Sequence, residues 1–308
     1  MRNKVSVIGA GNVGASLAQM IVQSGIADVV LFDISEGIPQ GKALDLSEAC
    51  PLWSSSSSII GTNDYSLTAG SDVIIVTAGF PRKPGMSRDD LLNANAKVVS
   101  EVVANTAKLS PQSVIILVTN PMDVMAQVAL KVSGFDSRRV IGMGGILDSA
   151  RLRTFIAWEM KVAPEDVEAL VLGGHGDLMV PMPRFTTIKG VSVTELLDRD
   201  RINAIVERTK NGGAEIVSYL KTGSAYYAPA AAAYQMVKAV VFDEQRMLPC
   251  SAYLDGEYGA KGIYTGVPVI LGSGGIKKIV ELKLNKEERK DFDKSVAAVK
   301  SLVEKLNL

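Results

Sequence analysis

The sequence predicts an α/β chain: a doubly wound parallel sheet in the first half, followed by a mixed α+β second half. Three observations carry that expectation. Short, almost uninterrupted apolar runs alternate with helical patterns as far as Gly144, a glycine-rich turn joins the first run to the first helix, and beyond Gly144 long helical patterns flank short strand candidates. Strands that are apolar throughout need cover on both faces, which a parallel sheet obtains from its crossover helices.

The elements follow in order. Lys4–Ile8, Asp28–Phe32, Val73–Thr77, Val114–Val118 and the shorter Arg139–Gly142 read as strands. Val13–Ser24 reads as a helix, with Gly25 as its C-terminal stop. The serine run Ser54–Ser58 is a loop ahead of a strand at Ile59–Ile60. In the second half, helices are expected over Ser149–Met160, Arg201–Thr222, Ala228–Phe242 and the Lys/Glu-rich tail from Asn285. Strands are expected near Val167–Leu172, Arg246–Tyr253 and Gly266–Leu271. The apolar face of Ala228–Val240 suits either a core or a subunit contact. The halves divide near residues 143–148, giving domains at 1–145 and 146–308.

Composition excludes several functions. The 33 basic and 33 acidic residues cancel and form no block of one sign, so neither nucleic acid nor an anionic membrane is an expected partner. No apolar stretch reaches the roughly 18 to 20 residues that span a bilayer. Cys50 and Cys250 stand far apart without metal-type spacing, and they read as unpaired thiols of a reducing compartment. The N-terminus enters a strand pattern almost at once, leaving no room for a secretory signal. A cytoplasmic protein without a metal site is expected.

Gly9-Ala10-Gly11-Asn12-Val13-Gly14 has the spacing G-x-G-x-x-G between a strand and a helix. Asp33 ends the next strand, where a carboxylate bonds ribose hydroxyls. Gly9 permits the tight turn, Gly11 the approach of a pyrophosphate, and Gly14 close helix–strand packing. Free N–H groups at the helix start favour the phosphate charge. The combination predicts a Rossmann dinucleotide site rather than a glycine-rich turn without a ligand. Because Asp33 repels a 2′-phosphate and Ile34-Ser35 offers no arginine to hold one, NAD is the expected cofactor rather than NADP.

The chain has one histidine, His175, in Val-Leu-Gly-Gly-His-Gly-Asp. It is the natural candidate for a general acid/base near neutral pH, and glycines 173, 174 and 176 leave room around it. Asp148 and Arg151 lie three apart and share a side of a helical turn. Asp148 suits an orienting carboxylate and Arg151 a two-pronged clamp on a substrate carboxylate. Without His175, the two would read as a capping aspartate and an exposed arginine. The segment from Gly79 to Arg88 sets Arg82, Lys83 and Arg88 among prolines and glycines after a strand. It is either a solvated loop or a functional one at the ligand edge of the sheet.

Taken together, Gly9–Gly14, Thr119-Asn120-Pro121, Leu147–Arg151, Gly173–Asp177 and Gly223–Tyr227 resemble the lactate/malate dehydrogenase family over essentially the whole chain, most closely its malate branch. The resemblance implies His175 as proton donor and acceptor, Asp148 as its partner, and Arg151 on the substrate's C1 carboxylate. It implies Arg88 as the arginine that polarises the carbonyl, within a closing loop around Phe80–Asp90. Asn120 would touch substrate and nicotinamide, while Asn95, Val118 and Thr119 would line the cofactor. Arg82 stands where malate enzymes carry arginine and lactate enzymes glutamine. A second buried carboxylate needs such a cation, and pyruvate would leave it unpaired. Ala225 and Gly174 point the same way. The resemblance also implies a dicarboxylate substrate, a place in the tricarboxylic acid cycle, and a homodimer or homotetramer. Rival readings are a lactate or broad 2-hydroxy-acid dehydrogenase and a non-catalytic NAD(H) sensor; the sensor has no need to keep His175, Asp148, Arg151 and Arg88 together.

Overall fold

The computed structural model describes residues 2–80 and 87–306, without the side chain of Arg88. In the first half, β1 (Lys4–Ile8), α1 (Asn12–Gln23), β2 (Asp28–Phe32), α2 (Ile38–Ala49), β3 (Ile59–Thr62) and β4 (Val73–Val76) are followed by α3 (Arg88–Leu109), β5 (Val114–Leu117), α4 (Met122–Ser133) and β6 (Val140–Gly142). The second half begins with α5 (Gly144–Met160), β7 (Val167–Glu168), β8 (Val171–Gly173), β9 (Met179–Pro181), β10 (Thr187–Ile188) and β11 (Val191–Ser192). It continues through α6 (Val193–Leu196), α7 (Arg199–Leu220), α8 (Tyr227–Val241), β12 (Arg246–Asp255), β13 (Lys261–Gly272), β14 (Gly275–Ile279) and α9 (Lys286–Glu304).

Strands β3-β2-β1-β4-β5-β6 lie side by side, all parallel. The alternation of side chains sorts their apolar runs onto two faces. Val5, Val7, Val29, Leu31, Val73 and Ile75 meet Leu17 and Ile21 of α1 and Met236 and Val237 of α8. Ile8, Ile74, Val76, Ile115 and Leu117 meet Leu92, Val99 and Val103 of α3 and Val124 and Val128 of α4. Both faces are therefore dry, as the unbroken apolar strands require. The apolar face of α8 is core. The sheet continues beyond β6 through the antiparallel strands β12, β13, β8 and β9, while β11-β10-β7 form a separate small sheet.

Several expectations change. The single run Val167–Leu172 is two strands in two sheets, because the chain crosses from β10 to β13 within it and apolarity alone does not mark the switch. Helix α5 begins at Gly144 rather than Ser149. Its two leading glycines are packing sites: a Cβ at Gly144 would lie 2.4 Å from Met122 Cε, and one at Gly145 would lie 2.7 Å from Pro249 O. Residues 88–90, expected in a loop, form the first turn of α3. A reciprocal cap fixes that start, with Asp90 N–H donating to Ser87 Oγ at 3.0 Å and Ser87 N–H to Asp90 Oδ2 at 3.1 Å. Cys50 and Cys250 are buried and unpaired, and burial pushes the Cys250 thiol pKa up. Among the described residues no helix is long and apolar enough to cross a membrane.

Candidate active site

The carboxyl ends of β1, β2, β4 and β5 open on one edge, where a cleft of about 320 Å³ runs past Gly9, Gly11, Asp33, Ile34, Tyr65 and Gly79. Gly9 has φ +112°, and a Cβ there would lie 2.7 Å from Ala78 N. At Gly14 a Cβ would lie 1.9 Å from Gly9 O, so helix and turn touch there. Around Gly11 nothing lies within 4 Å of a Cβ, and this residue caps α1 without a side-chain hydrogen bond. The helix start thus offers backbone N–H groups to an anion. Asp33 is held ready on the far side: Oδ2 accepts Ala10 N–H at 2.7 Å and Oδ1 accepts Ser35 N–H at 2.9 Å. A carboxylate has about four lone-pair directions, so capacity remains for two ribose hydroxyls. These features fit a dinucleotide.

The wall between β4 and β5 is pinned by buried side chains. Asn95, 2% exposed, accepts Phe80 N–H at 2.8 Å and donates to Asn120 O at 2.7 Å. Thr119 Oγ1 donates to Ala78 O at 2.6 Å. Asn95 and Thr119 therefore shape the wall from behind, while Val118 is half-buried and Asn120 is exposed at the rim.

The imidazole lies next to Gly144, just past the carboxyl end of β6. His175 Nδ1 donates to Asp148 Oδ2 at 2.8 Å, and Asp148 Oδ1 lies 3.3 Å from Arg151 Nη1. Asp148 is 1% exposed inside α5, not at its cap, and the Arg151 side chain is largely buried. The helical turn thus brings the three groups together. Burial pushes the His175 pKa down, but the Asp148 carboxylate, with help from Asp123, outweighs it and holds the pKa above 6.5. With Nδ1 committed, Nε2 is the nitrogen open to a reacting proton, and no hydrogen bond engages it among the described residues.

Arg82 lies outside the described residues, as does the side chain of Arg88, whose backbone opens α3. The glycines beside His175 are only partly about access. Gly173 and Gly174 are filled by α9, a Cβ meeting Ser295 Oγ and Val299 Cγ2 at 2.7 Å each; only Gly176 faces open space. The residue that clears room for the histidine is Gly144, where a Cβ would lie 2.9 Å from His175 Cβ.

Two groups escaped sequence reasoning. Asp123, buried in the first turn of α4, accepts His175 N–H at 2.8 Å and Ser251 Oγ–H at 2.6 Å. Burial raises its pKa, opposed by those two donors. An acid in a helix's first turn is ordinary, so nothing in the sequence marked it. Gly212 and Gly213 in α7 leave room for Arg151, with a Cβ at Gly212 lying 3.1 Å from Arg151 Cδ. Paired glycines inside a long helical pattern, each costing about 1 kcal/mol against alanine, were the available signal.

Family models describe the two halves: residues 3–142 match the lactate/malate dehydrogenase NAD binding domain, and residues 146–307 match the alpha/beta C-terminal domain of the same family. This chain belongs to the lactate/malate dehydrogenase family. Lactate/malate dehydrogenases are NAD-dependent oxidoreductases, and NAD is the cofactor here. Similar proteins include the malate dehydrogenase of Rhodopirellula baltica, 57% identical over 98% of this chain and 96% of that one. That of a Roseiflexus species is 55% identical over 98% of both. Among solved structures, the malate dehydrogenase of Cryptosporidium parvum superposes with a TM-score of 0.97 at 44% identity, covering 100% of this chain and 99% of that one. The lactate dehydrogenase of the same organism, complexed with lactic acid and the dinucleotide, gives 0.97 and 44%, covering 100% and 98%. Overall shape therefore does not separate the two branches.

Proposed function

We propose that this chain interconverts (S)-malate and oxaloacetate with NAD, His175 acting as the acid/base. The observation that carries the reading is the Asp148–His175 contact of 2.8 Å with Arg151 beside it, next to Gly144 just past the end of β6 in the sheet that also bears the dinucleotide cleft. The malate branch is favoured because the curated relatives at 52–57% identity are malate dehydrogenases. Arginine rather than glutamine at position 82 also favours it, by supplying a cation for the second carboxylate.

When bound, NAD supplies the hydride acceptor for C2 of malate. Arg151 holds the C1 carboxylate and so fixes C2 against the imidazole. Neutral His175 takes the hydroxyl proton at Nε2, and Asp148 stabilises the imidazolium that forms. In the reverse direction His175 returns that proton, with Arg88 polarising the carbonyl and Arg82 on the distal carboxylate. Gly9 to Gly14 hold the pyrophosphate and Asp33 the ribose, with Asn95, Val118, Thr119 and Asn120 forming the nicotinamide side. Residues 1–145 thus hold the cofactor and lend Arg82 and Arg88 to the substrate, while 146–308 supply His175, Asp148 and Arg151. The enzyme works in the cytoplasm, in the tricarboxylic acid cycle, as a homodimer or homotetramer. Exposed Trp158, Tyr219 and Tyr227 supply apolar surface for the subunit contact.

His175→Asn tests the reading. Turnover of malate and oxaloacetate should disappear while NADH still binds by fluorescence; retained turnover removes His175 from the chemistry.

A further inference from the structure

The loop that carries His175 runs between β8 and β9 and is anchored from a distant element. Ser295 Oγ, on α9, accepts Gly174 N–H at 2.8 Å and donates to Leu178 O at 2.6 Å. One hydroxyl thereby joins the backbone before the histidine to the backbone after it. Ser295 is 4% exposed and lies between Phe292 and Val299 on the buried stripe of an otherwise amphipathic helix. A polar group in that stripe is unfavourable unless both its hydrogen-bonding capacities are used, and here they are used on this loop. The fit is close: a Cβ at Gly173 would lie 2.7 Å from Ser295 Oγ. Left-handed φ values at Gly173 and Gly176, +79° and +87°, let the loop take this path.

We infer that Ser295 is a positioning residue for His175, its hydroxyl tying both shoulders of the loop and so setting the imidazole against Asp148. The role in turnover rests on the acid/base reading above, whereas the role in placing the ring does not. Asp123 on α4 also accepts His175 N–H, so the histidine loop is held from both α4 and α9. Without the α9 anchor the loop loses its fixed separation between Gly174 and Leu178, and the Nδ1···Oδ2 contact loosens.

The single histidine makes this directly readable, because ¹⁵N-histidine labelling of the full chain reports His175 alone. Recorded at a pH above the raised His175 pKa, two-bond ¹⁵N–¹H correlation of the unaltered protein should show a neutral ring in the Nδ1–H tautomer, since Nδ1 faces a carboxylate. Ser295→Ala should show averaging between tautomers and a kcat with oxaloacetate about 10- to 100-fold lower, the scale expected of a displaced catalytic group. NADH affinity should be unchanged. Ser295→Thr, which keeps a hydroxyl, should restore both the tautomer and kcat. Val299→Ala loosens the same helix against Gly174 without touching the hydrogen bonds, and should lower the melting temperature with the tautomer intact. Should Ser295→Ala not fold, Ser295→Cys keeps the shape with a weaker donor and should give the same averaging. A single Nδ1–H tautomer with undiminished kcat in Ser295→Ala, or equal averaging in Val299→Ala, overturns the inference. A protein inactive toward oxaloacetate whose tautomer still responds to Ser295→Ala would refute the malate reading and leave the positioning role standing.

Discussion

Asp148→Asn removes a charge while keeping the shape of the side chain, and its consequence can be worked from the contact it makes. His175 Nδ1 lies 2.8 Å from Asp148 Oδ2, and the imidazole becomes cationic as malate gives up its hydroxyl proton. Opposite charges about 4 Å apart attract by about 4 kcal/mol at an effective dielectric near 20. At about 1.36 kcal/mol per decade, losing that attraction slows malate oxidation by about 10³-fold. The pH profile should move as well. His175 now titrates above 6.5, so oxaloacetate reduction, which needs the imidazolium, is full below that raised pKa and falls above it. Malate oxidation, which needs the neutral ring, runs the other way. Asp148→Asn should shift both limbs to lower pH. The stability given by the raised pKa is present in full below 6.5 and fades as pH rises through the folded value, so the variant's deficit should be largest in acid. The assay is NADH absorbance in both directions across about pH 5 to 9, a range that brackets histidine titration. A loss below tenfold with unshifted limbs would refute the reasoning.

Two further outcomes rest on the cofactor cleft. Asp33→Ser with Ile34→Arg removes the carboxylate and puts a cation at a side chain now 80% exposed, so the NAD-to-NADP ratio of kcat/KM should fall by at least tenfold; an unaltered ratio would dissociate Asp33 from the ribose. Gly14→Ala places a Cβ 1.9 Å from Gly9 O and should lower stability by about 3 kcal/mol or more in thermal unfolding. Gly11→Ala meets nothing within 4 Å, so it should leave stability intact while weakening NADH binding, and equal stability losses in the two variants would contradict these assignments.

The Rossmann half was legible because its signals are local. An unbroken apolar strand, a glycine turn and an acid at the next strand's end are each read within a few residues, and β1, α1 and β2 fall within a residue of the expectation. Helix α4 was not read from the sequence; its first five residues, Met122–Ala126, are all buried, so no exposed face marks its start. Helix α2 was missed for the opposite reason, being mostly exposed and holding Pro39 and Gly41. At the site, Asp148, Arg151 and His175 were visible as a titratable set with helical spacing. Asp123, Ser251 and Ser295 were not, because each acts through a contact of 52 or more positions in sequence. Glycines 173 and 174 were visible but misread. They serve packing against α9, which only the tertiary structure reveals.

The central claim is that this site acts on a four-carbon dicarboxylate, and it is tested most directly by following NADH oxidation with oxaloacetate and pyruvate in parallel at equal concentration. The account predicts rapid turnover of oxaloacetate and almost none of pyruvate. Preference for pyruvate would contradict the specificity assigned to Arg82, and no turnover of either, with NADH bound, would contradict the catalytic reading itself.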